Sequence, residues 1–122
     1  MKTVLNENKL KASELEVPAE GLIPEVAVLR NVRVSYVTDA DGNRTETIEF
    51  VRYDCVNPEN YSNFTLKVVS TRPVVSQEML ESLEEPLFIA IPVSKTIIRP
   101  YSIEFGYAKV SIIAPEVKIY EG

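Results

Sequence analysis

Residues 25–37 alternate between apolar and polar side chains over most of their length. Val28, Val32 and Val34 share one parity, and Asn31, Arg33 and Ser35 share the other, as in a strand buried on one face. Leu29 and Arg30 fall out of phase, so a bulge near Arg30 is predicted. The polar run 39–43 is a turn, and residues 44–56 return as a second strand. On that strand Ile48 and Phe50 lie on one face and Val51, Tyr53 and Cys55 on the other. A loop at 57–63 leads to a third strand at 64–71, closed by Arg72-Pro73. Ser76 stands at an N-cap position ahead of a short helix at 77–85, with Met79, Leu80 and Leu83 on one side and Pro86 as its stop. Residues 87–93 form an apolar strand with a break or an edge at Pro92. Residues 94–105 read as irregular, and 107–114 as a last strand that 116–120 extend past Pro115.

This order, β-β-β-α-β-β, is the one expected of a five-stranded OB-fold barrel, and the alternative is an open β-sandwich with an incidental helix. The barrel domain spans 25–122. Residues 1–24 read as an arm and linker carrying Leu5, Leu10 and Leu15, then Pro18, Gly21 and Pro24. It is either a frayed terminus or an arm that packs on a second copy to make a homo-oligomer.

Composition removes most enzymes from consideration. The 122 residues contain no histidine and one cysteine, Cys55, so the commonest general base and the commonest zinc ligand are missing. No disulfide within the chain is possible, and Cys55 reads as a small apolar residue at a strand end. Asp39, Asp41 and Asn43 have the spacing that opens a calcium loop. That motif then needs glycine at its sixth position and glutamate at its twelfth, where this chain has Arg44 and Phe50. Turn geometry explains Asp41-Gly42 better. No catalytic residue, metal or cofactor is expected.

No apolar run has the length of a membrane span, and Val4 to Asn8 are too short and polar for a signal-peptide core. The expected location is the cytoplasm. The formal net charge of −5 disfavours a strongly basic nucleic-acid binder. Its distribution softens that objection, because Glu78, Glu81, Glu84 and Glu85 sit together on one segment without basic neighbours.

On an OB barrel the ligand meets strands two and three and the loops joining strands one to two and four to five. The candidate contacts are therefore Arg33 and Tyr36 on the first strand, and Arg44, Arg52, Tyr53, Tyr61, Phe64 and Lys67 on the second and third strands or their connection. Lys95, Arg99 and Tyr101 belong to the later loop. Rings interleaved with cations suit single-stranded DNA or RNA, since bases stack on the rings and cations follow the phosphates. The same residues also read as core fill and a solvated face, and parity does not choose between the two.

The words Leu29-Arg30-Asn31-Val32-Arg33-Val34, Asp41-Gly42, Glu46-Thr47-Ile48 and Arg52-Tyr53-Asp54 resemble the opening half of small proteins carried by Gram-positive conjugative elements. That group includes a single-strand-binding-like helicase processivity factor. The resemblance covers residues 29–55 and carries over no individual functional residue. It implies a non-catalytic accessory role in DNA replication or transfer of a plasmid or other mobile element. The competing expectation is a structural or adaptor protein of a phage, plasmid or secretion assembly, acting by self-association.

Overall fold

The computed structural model describes residues 15–70 and 72–121. Strand β1 (Val17–Pro18) is followed by the long pair β2 (Val26–Thr38) and β3 (Arg44–Val56), then β4 (Asn63–Val68) and helix α1 (Gln77–Ser82). Strand β5 (Leu87–Ala90), a 3-10 turn at Val93–Lys95, β6 (Ile97–Glu104), β7 (Tyr107–Ala114) and β8 (Lys118–Ile119) complete the chain. Among the described residues the strands form one mixed sheet in the order β1-β6-β7-β4-β3-β2-β5-β8, with β4 and β7 as its parallel pair.

The chain is mainly β, as expected, but the closed five-stranded barrel is not found. Among the described residues the sheet has eight strands and runs from β1 at one end to β8 at the other, so of the sandwich alternative the open sheet holds. The cause lies between β5 and β6. Pro92 interrupts the run, and the 3-10 turn behind it is closed by the Thr96 hydroxyl, which donates to the Pro92 carbonyl at 2.9 Å. β5 therefore pairs with β2 while β6 pairs with β7, on opposite sides of the β2-β3-β4 meander. The ladder is broken where one continuous fourth strand would have closed it.

The bulge expected at Arg30 is present, because Leu29 faces Cys55 while Asn31 faces Asp54. A second irregularity corrects the reading of β3. Ser35 faces Phe50 but Tyr36 faces Ile48, so Glu49 is an extra residue and the parity flips there. Ile48 packs on the core, and Phe50 turns to the other face. The 94–105 segment, read as irregular, is mostly strand β6. Pro100 is tolerated because it lies at a register shift between Pro100 and Ser102, where the ladder needs no regular donor.

One core collects Ala27, Leu29, Val51, Tyr53, Leu66, Ile89, Ile98, Ile112 and Ala114, so the sheet wraps around it. Ala19 is buried in that core and its N–H donates to the Thr96 carbonyl. The last residues of the segment read as an arm are thus part of the sheet and its core, while Leu5 and Leu10 lie outside the described residues. Helix α1 begins after Ser76, whose Oγ accepts from the Met79 N–H at 3.0 Å. The helix ends at Ser82 rather than reaching Pro86, and Leu83 is already extended. Glu84 and Glu85 at its C-terminal end oppose the helix dipole, which favours the earlier stop.

Candidate nucleic-acid interface

The outward face of the meander carries a row of like charges. Arg33 on β2 lies directly opposite Arg52 on β3, which lies directly opposite Lys67 on β4. Three cations in register on adjacent strands repel one another across roughly 10 Å of sheet. Local partners offset part of this. The Arg33 guanidinium donates to Asp54 Oδ1 at 2.7 Å, and Thr65 donates to the same oxygen at 2.8 Å. Burial pushes the Asp54 carboxyl up, but the hydrogen bonds from Arg33, Thr65 and Asn31 and the Arg33 charge together hold it below the usual carboxylate range. Arg52 and Lys67 both lie over the Phe50 ring, at 4.8 and 4.4 Å from its centroid. The ring faces both cations as a π donor.

This row opens into a groove of about 390 Å³ lined by Arg33, Arg52, Thr65, Lys67, Tyr101 and Ser111, together with the apolar Val110 and Ile112. Tyr101 is well exposed. The turns flanking the face stand at opposite ends of it. Turn 39–43 joins β2 to β3, and Phe105-Gly106 joins β6 to β7, which starts where β3 ends. The first turn is closed by its own aspartate, because Asp39 Oδ1 accepts from the N–H groups of Asp41 and Asn43 at 3.0 and 2.9 Å. Gly42 adopts φ +83, so the turn reading of this segment holds. No group of three or more His, Cys, Asp or Glu that could hold a metal ion occurs among the described residues.

Of the eleven candidate contacts, Arg33, Arg52, Lys67 and Tyr101 line the groove. Tyr53 does not. It is only 1% exposed, fills the core, and its hydroxyl accepts from the Val74 N–H at 3.1 Å. Phe64 is half-buried and also packs on the core. Arg44 lies over Tyr36 at 4.6 Å near the tip of the β2–β3 ribbon. Tyr61 is exposed in the loop between β3 and β4 with φ 60, and Lys95 is exposed on the 3-10 turn. Neither lines the groove. Arg99 shares the groove face, directly opposite Ser111, and its guanidinium pairs with Glu16 at 2.5 Å.

Phe50, Thr65 and Ser111 were missed. A parity flip hides Phe50, and Thr65 and Ser111 are ordinary strand residues until β4 and β7 are known to pair. Cys55 is buried, and burial with the nearby Asp54 charge pushes its thiol up to about 12, which leaves it protonated and inert near neutral pH.

No protein-family model matches the chain. No curated protein and no solved structure matches it either.

Proposed function

We propose that this protein is a non-catalytic binder of single-stranded nucleic acid, with the strand lying along the outward face of β3, β4 and β7. The observation that carries the proposal is the in-register row Arg33, Arg52 and Lys67. Like charges placed directly opposite one another weaken a sheet, and an anionic ligand converts that penalty into binding. Tyr101, exposed on the groove wall, offers a ring on which a base stacks for roughly 1–3 kcal/mol. The groove is open and is lined from Arg33 on β2 to Tyr101 on β6, as suits a chain rather than an enclosed small molecule.

The chain path supports an OB-like reading of the sheet. A meander of three antiparallel strands precedes the helix, the third strand pairs in parallel with β7, and the bent segment β5–β6 reaches both sides of the meander. The setting in a conjugative element rests on the sequence resemblance alone.

Fluorescence anisotropy with a labelled oligo-dT of about 20 nucleotides tests the proposal at about 50 and 200 mM salt. Binding that weakens steeply with salt is expected. No binding at the lower salt would overturn it.

One observation favours a second reading as an assembly protein. Ile103, Phe105 and Tyr107 project from the β6–β7 hairpin with exposures of 68, 99 and 81%, an apolar tip suited to a protein surface. Light scattering across a concentration series, with Phe105→Ser as the control, separates the two. Self-association lost in the variant, together with no oligonucleotide binding, would favour the assembly role.

A further inference from the structure

Arg99 stands on the groove face two strands beyond Lys67, next to Ser111. Its neighbours Ile98 and Pro100 are buried on the other face, so the side chain is directed outward with the remaining cations. The guanidinium is incompletely satisfied. Nη2 donates to Glu16 Oε1, and Nε is buried without any hydrogen-bond partner. An orphaned buried N–H is uncommon and calls for a cause.

A guanidinium binds best through two parallel N–H groups, and carboxylates and phosphates both accept that fork. Here the carboxylate takes one prong and leaves the other empty. Glu16 immediately precedes β1, whose Val17 and Pro18 pair with Ile98 and Ile97 of β6. Glu16 precedes the paired residues, so its side chain can leave Arg99 while Val17, Pro18 and the buried Ala19 stay in place.

We propose that Arg99 is an oxyanion site on the groove face, that Glu16 is its internal occupant, and that a phosphodiester group displaces the carboxylate and engages both Nε and Nη2. This rests on the groove reading above. It adds a competition between the N-terminal segment and the ligand for one cation. Glu16 therefore lowers affinity in the free protein, and displacement of its carboxylate frees Nη2 for the ligand.

The test is a double-mutant cycle on the full chain with labelled oligo-dT. Glu16→Gln is expected to tighten binding about 3- to 10-fold at low salt, in the range of a released charge pair. It is also expected to steepen the salt dependence by about 0.7 in log–log slope, one added phosphate contact. In an Arg99→Gln background, Glu16→Gln should change neither quantity. Arg99→Lys keeps the charge without the fork, so it serves if Arg99→Gln does not fold, and there Glu16→Gln should have a reduced effect. Inorganic phosphate replaces the oligonucleotide in a second arm, with the Arg99 Nε–H resonance followed by NMR in Glu16→Gln. A shift there identifies a general oxyanion site, and a shift only with oligo-dT identifies a site for the polymer. An equal gain from Glu16→Gln with and without Arg99 would overturn the inference while leaving the groove reading standing, because it would mark Glu16 as a distant repulsive charge. Absence of oligonucleotide binding in every protein would overturn both.

Discussion

The side-chain oxygen Oε1 of Gln77 accepts from the backbone N–H of Val32 at 2.7 Å. β5 covers the edge of β2 only from Val26 to Leu29, so the edge beyond the Arg30 bulge lacks a strand partner there. Gln77 takes that place for one residue, and its amide nitrogen donates onward to Asn31 and Glu81. α1 is thus fastened to the sheet by a side chain that imitates a neighbouring strand. Gln77→Ala is expected to destabilise the protein by about 1–2 kcal/mol, because it strands a part-buried donor. Urea unfolding measures this, and the Val32 amide should lose hydrogen-exchange protection in the same variant.

The groove makes opposite demands on neighbouring residues of one strand. Arg52→Ala and Lys67→Ala should each weaken oligo-dT binding and lower the salt slope by about 0.7. Tyr53→Phe should leave binding and slope unchanged and lower stability by about 1 kcal/mol, since it removes the acceptor of the Val74 N–H. Anisotropy and denaturation on the three variants check both halves.

Stability should fall at both ends of the pH scale, for different groups. Asp54 titrates below its usual range in the folded protein, so its contribution is complete above the ordinary carboxylate value near 4 and is lost as pH falls through the lowered one. Cys55 is raised to about 12, so its contribution is complete below its unfolded value and disappears as pH rises from there toward 12. Tyr53 is raised by burial, partly opposed by its Val74 hydrogen bond, and adds to the same alkaline loss above about 10. Denaturation from pH 2 to 11 should show both limbs, with Asp54→Asn weakening the acid one and Cys55→Ser reducing the alkaline one. At pH 8 the native thiol should react with a disulfide reagent far more slowly than the unfolded chain.

Phe105 holds φ 50 at the hairpin tip beside Gly106 at φ 83, and its ring is almost wholly exposed. A bulky residue at positive φ is strained by roughly 1 kcal/mol or more. Phe105→Asn suits the same turn and should raise the melting temperature by a few degrees. An unchanged or lower value in a thermal scan would mean that the ring contributes to stability despite its exposure.

Much of the fold is legible along the chain where burial is one-sided. The bounds of β3 and the Arg30 bulge are legible in the chain, the facing of Ile48 and Phe50 on β3 is not, and β2 is displaced by a single residue. β6 is hidden because Pro100 and the Pro92 break suppress the strand pattern, although the register shift accommodates the first. The site is less legible for a related reason. Tyr53 and Arg52 are adjacent and carry equally plausible chemistry, yet one fills the core and the other faces the groove. Both faces of β3 carry apolar groups in the sequence until the flip at Glu49 puts Ile48 on the Tyr53 side, and a bulge is a property of pairing between strands rather than of one strand's sequence.

The split between β5 and β6 also governs how the molecule is assembled in time. The β2-β3-β4 meander needs only short loops, but both of its flanks are supplied by residues beyond α1, including the parallel pairing of Leu66 with Ile112. Non-local and parallel pairings form slowly, since loop closure precedes any reward from contact. A chain emerging from the ribosome therefore presents the inner face of the meander, with Val51, Leu66 and Val68, until the last strands arrive. Folding is completed only once β5, β6 and β7 have been made, and until then the uncovered apolar face is exposed to aggregation.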